Sequence, residues 1–144
     1  MSKYTKAEII LESEITQEEY LTLRATTTWK QIKPERVAAL LKNSAFLVRA
    51  KVDGKTVGIA RALFDFGYSV YISDVIVLPE YQQKGIGRKL VEHLITRAKE
   101  SVASDDYLKF ILVAAPGKSS FYEKLGFTKR DEQTGWGMVL NYNF

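Results

Sequence analysis

The stretch Val75-Ile-Val-Leu-Pro-Glu-Tyr-Gln-Gln-Lys-Gly-Ile-Gly-Arg-Lys-Leu90 sets an apolar run, a polar loop with two glycines and the start of a helical pattern in direct succession. A strand that feeds a helix start can hold a phosphate, because the first helical turn presents unpaired N–H groups and a partial positive charge. Gly85 and Gly87 lack the Cβ atoms that would keep a pyrophosphate off the backbone, and Lys84, Arg88 and Lys89 add positive charge nearby. Two familiar phosphate loops do not fit. A Rossmann fingerprint needs a third small residue where Leu90 stands, and a Walker A loop needs a Gly-Lys-Ser/Thr sequence that is absent. The plainer alternative, glycines that only ease helix–sheet packing, stays open on these residues alone.

Other chemistries are excluded by what is missing. With no cysteine, the chain has no disulfide, thiolate metal site or cysteine nucleophile. The single histidine, His93, has no second imidazole with which to share a metal and reads as a surface residue. No Gly-x-Ser-x-Gly elbow supports a serine hydrolase. A formal charge of +4 suits an anionic ligand, but the Lys and Arg residues are scattered, without the basic blocks of a nucleic-acid binder. No apolar run approaches the roughly 20 residues of a membrane helix, and the polar first eight residues read as no signal peptide, so the expected setting is cytoplasmic, with no membrane partner.

The elements that must position the glycine loop follow from periodicity. Residues 7–12 read as a first strand, and Thr16-Gln17-Glu18-Glu19 as a capping box opening a helix that ends near the three threonines 26–28. A loop with Trp29 follows, and then a helix whose first turn takes Pro34. Residues 46–52, a turn at Asp53-Gly54, and residues 56–64 form a hairpin, extended by 69–77 into a three-stranded meander. After Gly85, Ile86, Leu90, Val91, Leu94, Ile95 and Ala98 share one helical face that should pack on the sheet. Residues 108–115 are an apolar run suited to a central strand parallel to its predecessor. A short helix at 119–125, stopped by Gly126, precedes a turn at Thr134-Gly135 and a last strand about 136–142. No linker or repeat interrupts the chain, so residues 1–144 read as one mixed α/β domain.

Gln82-Gln83-Lys84-Gly85-Ile86-Gly87 resembles the acyl-CoA-binding motif of the GNAT superfamily of N-acetyltransferases: Gln or Arg, two residues, Gly, one residue, then Gly or Ala. The likeness extends on both sides, since residues 74–79 look like that family's splayed fourth strand and 88–98 like its long following helix. Phe121-Tyr122-Glu123-Lys124-Leu125-Gly126-Phe127 is similar to the family's second hallmark. The resemblance covers nearly the whole chain, although the first 45 residues contribute pattern and no motif. It implies the GNAT fold, a central mixed, mostly antiparallel sheet flanked by helices, with acetyl-CoA as cosubstrate and no metal. One departure stands out: many members carry an asparagine just after the fifth strand, where this chain has Ala114-Ala115-Pro116-Gly117.

The resemblance also implies roles. Pyrophosphate would sit on the N–H groups of Lys84, Gly85, Ile86, Gly87 and Arg88, beside Gln82 and Gln83, with pantetheine along Val75, Ile76 and Val77 as an added strand. The N–H of Ile76 or Val77 would polarise the thioester carbonyl and hold its oxyanion. Tyr122 would protonate the departing thiolate, where the residue type alone suggests only a half-buried packing tyrosine. Asp74, the carboxylate nearest in sequence, is either the base for the amine or a structural anchor at the splay. Trp29, Phe66, Tyr68 and Tyr71 lie where the family walls its acceptor site, and offer either an aromatic pocket for an amine or ordinary core. The expected reaction is direct acetyl transfer to a primary amine of a small molecule. The alternatives are a protein or peptide amine, or a CoA-binding sensor without chemistry; family members are often homodimers, which leaves that assembly open.

Overall fold

Alternating apolar side chains build the sheet in this computed structural model, which describes residues 7–143. The strands are β1 (Ile9–Glu12), β2 (Phe46–Val52), β3 (Lys55–Phe64), β4 (Ser69–Val77) and β5 (Lys109–Ile111). They lie in sequence order, β1 to β4 antiparallel and β5 parallel to β4. The helices are α1 (Gln17–Arg24), α2 (Pro34–Asn43), α3 (Ile86–Glu100) and α4 (Ser119–Glu123). The mixed, mostly antiparallel sheet with flanking helices is the α/β fold class expected. By chain contacts there are two compact units, Met1–Leu112 and Val113–Phe144, and residues 1–6 and 144 lie outside the described residues.

In the first unit the local signals act as their chemistry dictates. The Thr16 hydroxyl accepts from the Glu19 N–H at 3.1 Å, and the Glu19 carboxylate accepts from the Thr16 N–H at 2.8 Å, closing the capping box of α1. The hairpin turn puts Asp53 at φ 50° and Gly54 at φ 77°, the paired positive dihedrals that a tight two-residue turn needs. Ile86, Leu90, Val91, Leu94 and Ala98 are buried where α3 packs on β2, β3 and β4. Gly58 permits the close approach: a Cβ there would stand 3.0 Å from Leu90 Cδ1 and 3.1 Å from Ile86 Cγ2.

A bulge in the β3–β4 ladder re-aims side chains. Arg61 pairs with Asp74, but the next residue, Ala62, pairs with Ile72, so Ser73 is extra. Because facing residues alternate in strict period two, the extra residue turns Asp74 to the face covered by α1, while Ile72 keeps to the α3 face with Ala62.

The far end of the chain departs from the sequence reading. β5 pairs over Lys109–Ile111 only, against the expected 108–115, and it ends the sheet instead of lying centrally. Residues 136–142 form no strand, and Met138 and Leu140 are 91% and 89% exposed. Strand propensity is realised only by a ladder partner and a covered face, and neither is written in the run itself. Within the second unit, α4 is stopped as expected by Gly126 at φ 100°, and the Asp131–Thr134 hydrogen bonds and Gly135 at φ 89° make the anticipated turn.

Candidate active site

β4 has a partner along its whole length on the β3 side, but on the other side pairing stops at Tyr71 with Ile111. Beyond that point the strand edge is open among the described residues. Which backbone groups face the opening follows from the ladder. The Leu78 N–H donates to the Val57 carbonyl at 2.9 Å, so in the same register Ile76 exchanges its bonds with Ile59 of β3. Val75 and Val77 therefore direct their N–H groups outward. Of the two expected oxyanion donors, Val77 faces the open edge and Ile76 does not.

The chain leaves β4 through a 3-10 turn, Pro79–Tyr81, and the Gln82 side-chain amide donates back to the Val77 carbonyl at 3.0 Å, fixing the loop against the strand end. Gln83, at φ 61°, and Gly85, at φ 83°, both take left-handed conformations, and no atom lies within 4 Å of a Cβ built on Gly85. Glycine at position 85 is thus explained by backbone dihedral and by open space above it, not by packing against the sheet. Gly85 caps α3 with no side-chain cap, and the first bond of the helix runs from the Lys89 N–H to the Gly85 carbonyl. The N–H groups of the preceding residues, Ile86, Gly87 and Arg88, point out of the helix end without intrahelical acceptors. Arg88 is exposed and bound to Glu92 at 2.7 Å, and the Lys84 ammonium lies 5.4 Å from the Tyr81 ring centre. Gln83 and Lys84 also line, with Ile9, Val52, Tyr81 and Ile86, a cavity of about 480 Å³ on the β1–β2 side that the sequence did not announce.

Asp74 is buried, 6% exposed, in a polar cluster of which sequence reasoning found only this one member. Its Oδ2 accepts from Arg61 Nε at 2.6 Å and from the Tyr20 hydroxyl at 2.7 Å, and Arg24 Nη1 stands 3.7 Å from Oδ1. Arg61 also donates to the Ser73 and Ser44 hydroxyls, tying down the bulge. Burial, then the hydrogen bond and charge of Asp74, push the Tyr20 phenol up, so it remains a donor. The signals for the missing members were an arginine inside the apolar run of β3 and a Tyr20/Arg24 pair at i, i+4 on α1.

The aromatic candidates separate. Trp29 sits in the loop after α1 with the Arg24 guanidinium 5.5 Å from its ring centre, and Tyr71 lies in β4. Tyr68 precedes β4 at the end opposite the glycine loop, roughly 30 Å from Val77 at the usual rise per residue, and stacks on Tyr107 at 5.9 Å. Phe66 packs on Phe64 and Phe46. The structure therefore does not bring Tyr68 and Phe66 to the open part of β4. Tyr122 belongs to the second unit, on α4, held edge-on between Phe121 at 4.9 Å and Phe127 at 5.9 Å. Burial pushes its phenol above the ordinary value, so it stays protonated through the neutral range.

Comparison with known proteins adds to this geometry. The family model described as an acetyltransferase (GNAT) domain matches residues 4–136. The uncharacterized N-acetyltransferase ycf52 of Pyropia yezoensis is 33% identical over 105 residues, covering 70% of this chain and 58% of its own length. The histone acetyltransferase TAP1 of Glycine max is 30% identical over 110 residues, covering 69% of this chain and 46% of its own. The chain thus spans about half the length of these relatives. A GNAT-family acetyltransferase structure from Streptococcus pneumoniae superposes with a TM-score of 0.78 at 25% identity, over 96% of this chain and all of the other.

Proposed function

The chain belongs to the GNAT acetyltransferase family, and from that premise we propose that it moves an acetyl group from acetyl-CoA directly to a primary amine of a small molecule. The observation that carries the reading is the open edge of β4, with Val75 and Val77 N–H groups facing outward and running into the uncapped, glycine-led start of α3. An amide-bearing chain can complete that edge as an added strand, and an anion suits the helix end that follows. Both requirements are those of acetyl-CoA, whose thioester supplies the activated acetyl carbon.

In this proposal the outward N–H groups hold pantetheine and polarise the thioester carbonyl, and Lys84 to Arg88 hold the pyrophosphate. The amine nitrogen bonds to the carbonyl carbon, the oxyanion rests on a β4 N–H, the C–S bond breaks, and the Tyr122 hydroxyl proton goes to sulfur. Asp74, with Arg61 and Tyr20 already on its carboxylate, serves as the anchor at the bulge, and water takes the amine's proton. The cytoplasmic setting belongs to the same proposal, as does a single working domain of both units.

A free-thiol release assay tests it, with acetyl-CoA against polyamines, aryl-alkylamines, amino sugars, amino acids and histone-like peptides, and acetyl-CoA binding measured alongside. Turnover with a small amine supports the proposal. Turnover with peptides alone moves it to a protein acceptor, the reading that the Glycine max relative's name favours. Binding without turnover on any acceptor contradicts the enzyme, and absence of binding contradicts the assignment of the loop.

A further inference from the structure

One guanidinium connects the buried carboxylate of β4 to the loop after α1. Arg24 Nε and Nη2 donate to the Lys30 carbonyl at 3.0 and 2.8 Å, a two-pronged hold on a single oxygen. The remaining nitrogen, Nη1, donates to the Tyr20 hydroxyl at 3.0 Å and stands 3.7 Å from Asp74. The Tyr20 hydroxyl in turn donates to Asp74, so Lys30, Arg24, Tyr20 and Asp74 form an unbroken polar chain from the loop to β4. The Trp29 ring lies beside the same guanidinium.

The loop is fastened at its other end as well. Thr26 and Thr27 hydroxyls donate to the Leu23 and Arg24 carbonyls at 2.7 Å each, and the Thr27 hydroxyl accepts from the Trp29 N–H at 3.2 Å. Threonines stop α1, and Arg24 then decides where the stopped chain goes. Tyr20 is fully buried and the Arg24 and Asp74 side chains are 11% and 9% exposed, so the bonds form where water competes little. Lysine could not replace the arginine: a point charge cannot fork onto one carbonyl and still reach a hydroxyl in another direction.

We infer that Arg24 is the positioning residue of the acceptor side, setting residues 25–33, and with them Trp29, in fixed register to Asp74 and thus to the thioester-binding part of β4. Arg24 touches no reacting atom; it acts through Trp29. The inference rests on the proposed acceptor role of the early loop, and its test separates the two.

In a Trp136→Phe background Trp29 is the only tryptophan, since the chain has two. Arg24→Lys and Arg24→Met are compared with that parent by acrylamide quenching of Trp29 without substrates, by melting, and by steady-state kinetics. Spermidine and phenethylamine serve as probe amines, and their dissociation constants are also read from Trp29 emission with CoA present. Quenching should rise about twofold or more in both variants, and the amine KM or dissociation constant by about tenfold, with the acetyl-CoA KM unchanged. Arg24→Lys keeps a charge beside Asp74 and carries the test if Arg24→Met does not fold. Unchanged quenching in a folded variant overturns the clamp itself. Raised quenching with unchanged affinity for both amines leaves the clamp standing and overturns the acceptor reading of the loop.

Discussion

Tyr122 and Asp74 show how little a residue's type says without its surroundings. Tyr122 sits between two aromatic rings, and burial holds its phenol protonated. As the acid for the leaving thiolate it should be replaceable in packing but not in chemistry. Tyr122→Phe is expected to lower kcat by about 100-fold or more while leaving acetyl-CoA affinity nearly unchanged, by thiol release and calorimetry; wild-type turnover would end the acid role. Asp74 carries the opposite expectation. Its buried carboxylate is the counter-ion shared by two mostly covered arginines, so Asp74→Ala leaves Arg24 and Arg61 facing each other without it and should cost about 3 kcal/mol or more in urea unfolding. Asp74→Asn retains an acceptor and should be milder, with the wild-type pH–rate profile. A displaced profile in that variant would restore Asp74 as the base.

Among the elements, α1 does more than cover the sheet, because its first turn and its last both anchor it to neighbouring strands. At the first turn, burial alone would raise the Glu19 carboxyl. Hydrogen bonds from the Thr56 hydroxyl, the Thr16 N–H and Arg49 outweigh that and hold it at about 2, from an ordinary 4.5. A depressed carboxylate stabilises the fold above the unfolded value, and the contribution disappears as pH falls from 4.5 through about 2. The stability advantage of the parent over Glu19→Gln should therefore be full at pH 6 and shrink steadily toward pH 2 in urea titrations. An advantage independent of pH would show that the bonds act without the charge. At its last turn Arg24 ties α1 to the Lys30 carbonyl and, through the Tyr20 hydroxyl, to Asp74 of β4.

For the whole molecule, the proposed direct transfer carries a kinetic expectation. With no cysteine to carry an acyl group, and Asp74 engaged by arginine and tyrosine, direct transfer needs both substrates bound together. Initial rates varied in both substrates should give intersecting lines; parallel lines would require an acyl-enzyme on some other nucleophile. Acceptor choice is a property of site residues placed on a shared fold, and the thiol-release panel reads it.

The amino-acid sequence by itself determined the capping box, the Asp53-Gly54 hairpin, the face of α3 and the glycine-led helix start, along with the family they indicate. Each is set by residues within a few positions of one another, whose dihedral limits and periodicity act locally. Only the tertiary structure decided that Ser73 is an extra residue, that Asp74 faces Tyr20 and two arginines, and that Val77 looks outward where Ile76 looks to β3. It also decided that β5 stops at Ile111, that Tyr68 lies far from the open edge of β4, and that residues 136–142 form no strand. Register, bulges and ladder ends depend on which strand lies alongside, and a buried charge cluster depends on side chains brought together from elements as many as 54 positions apart.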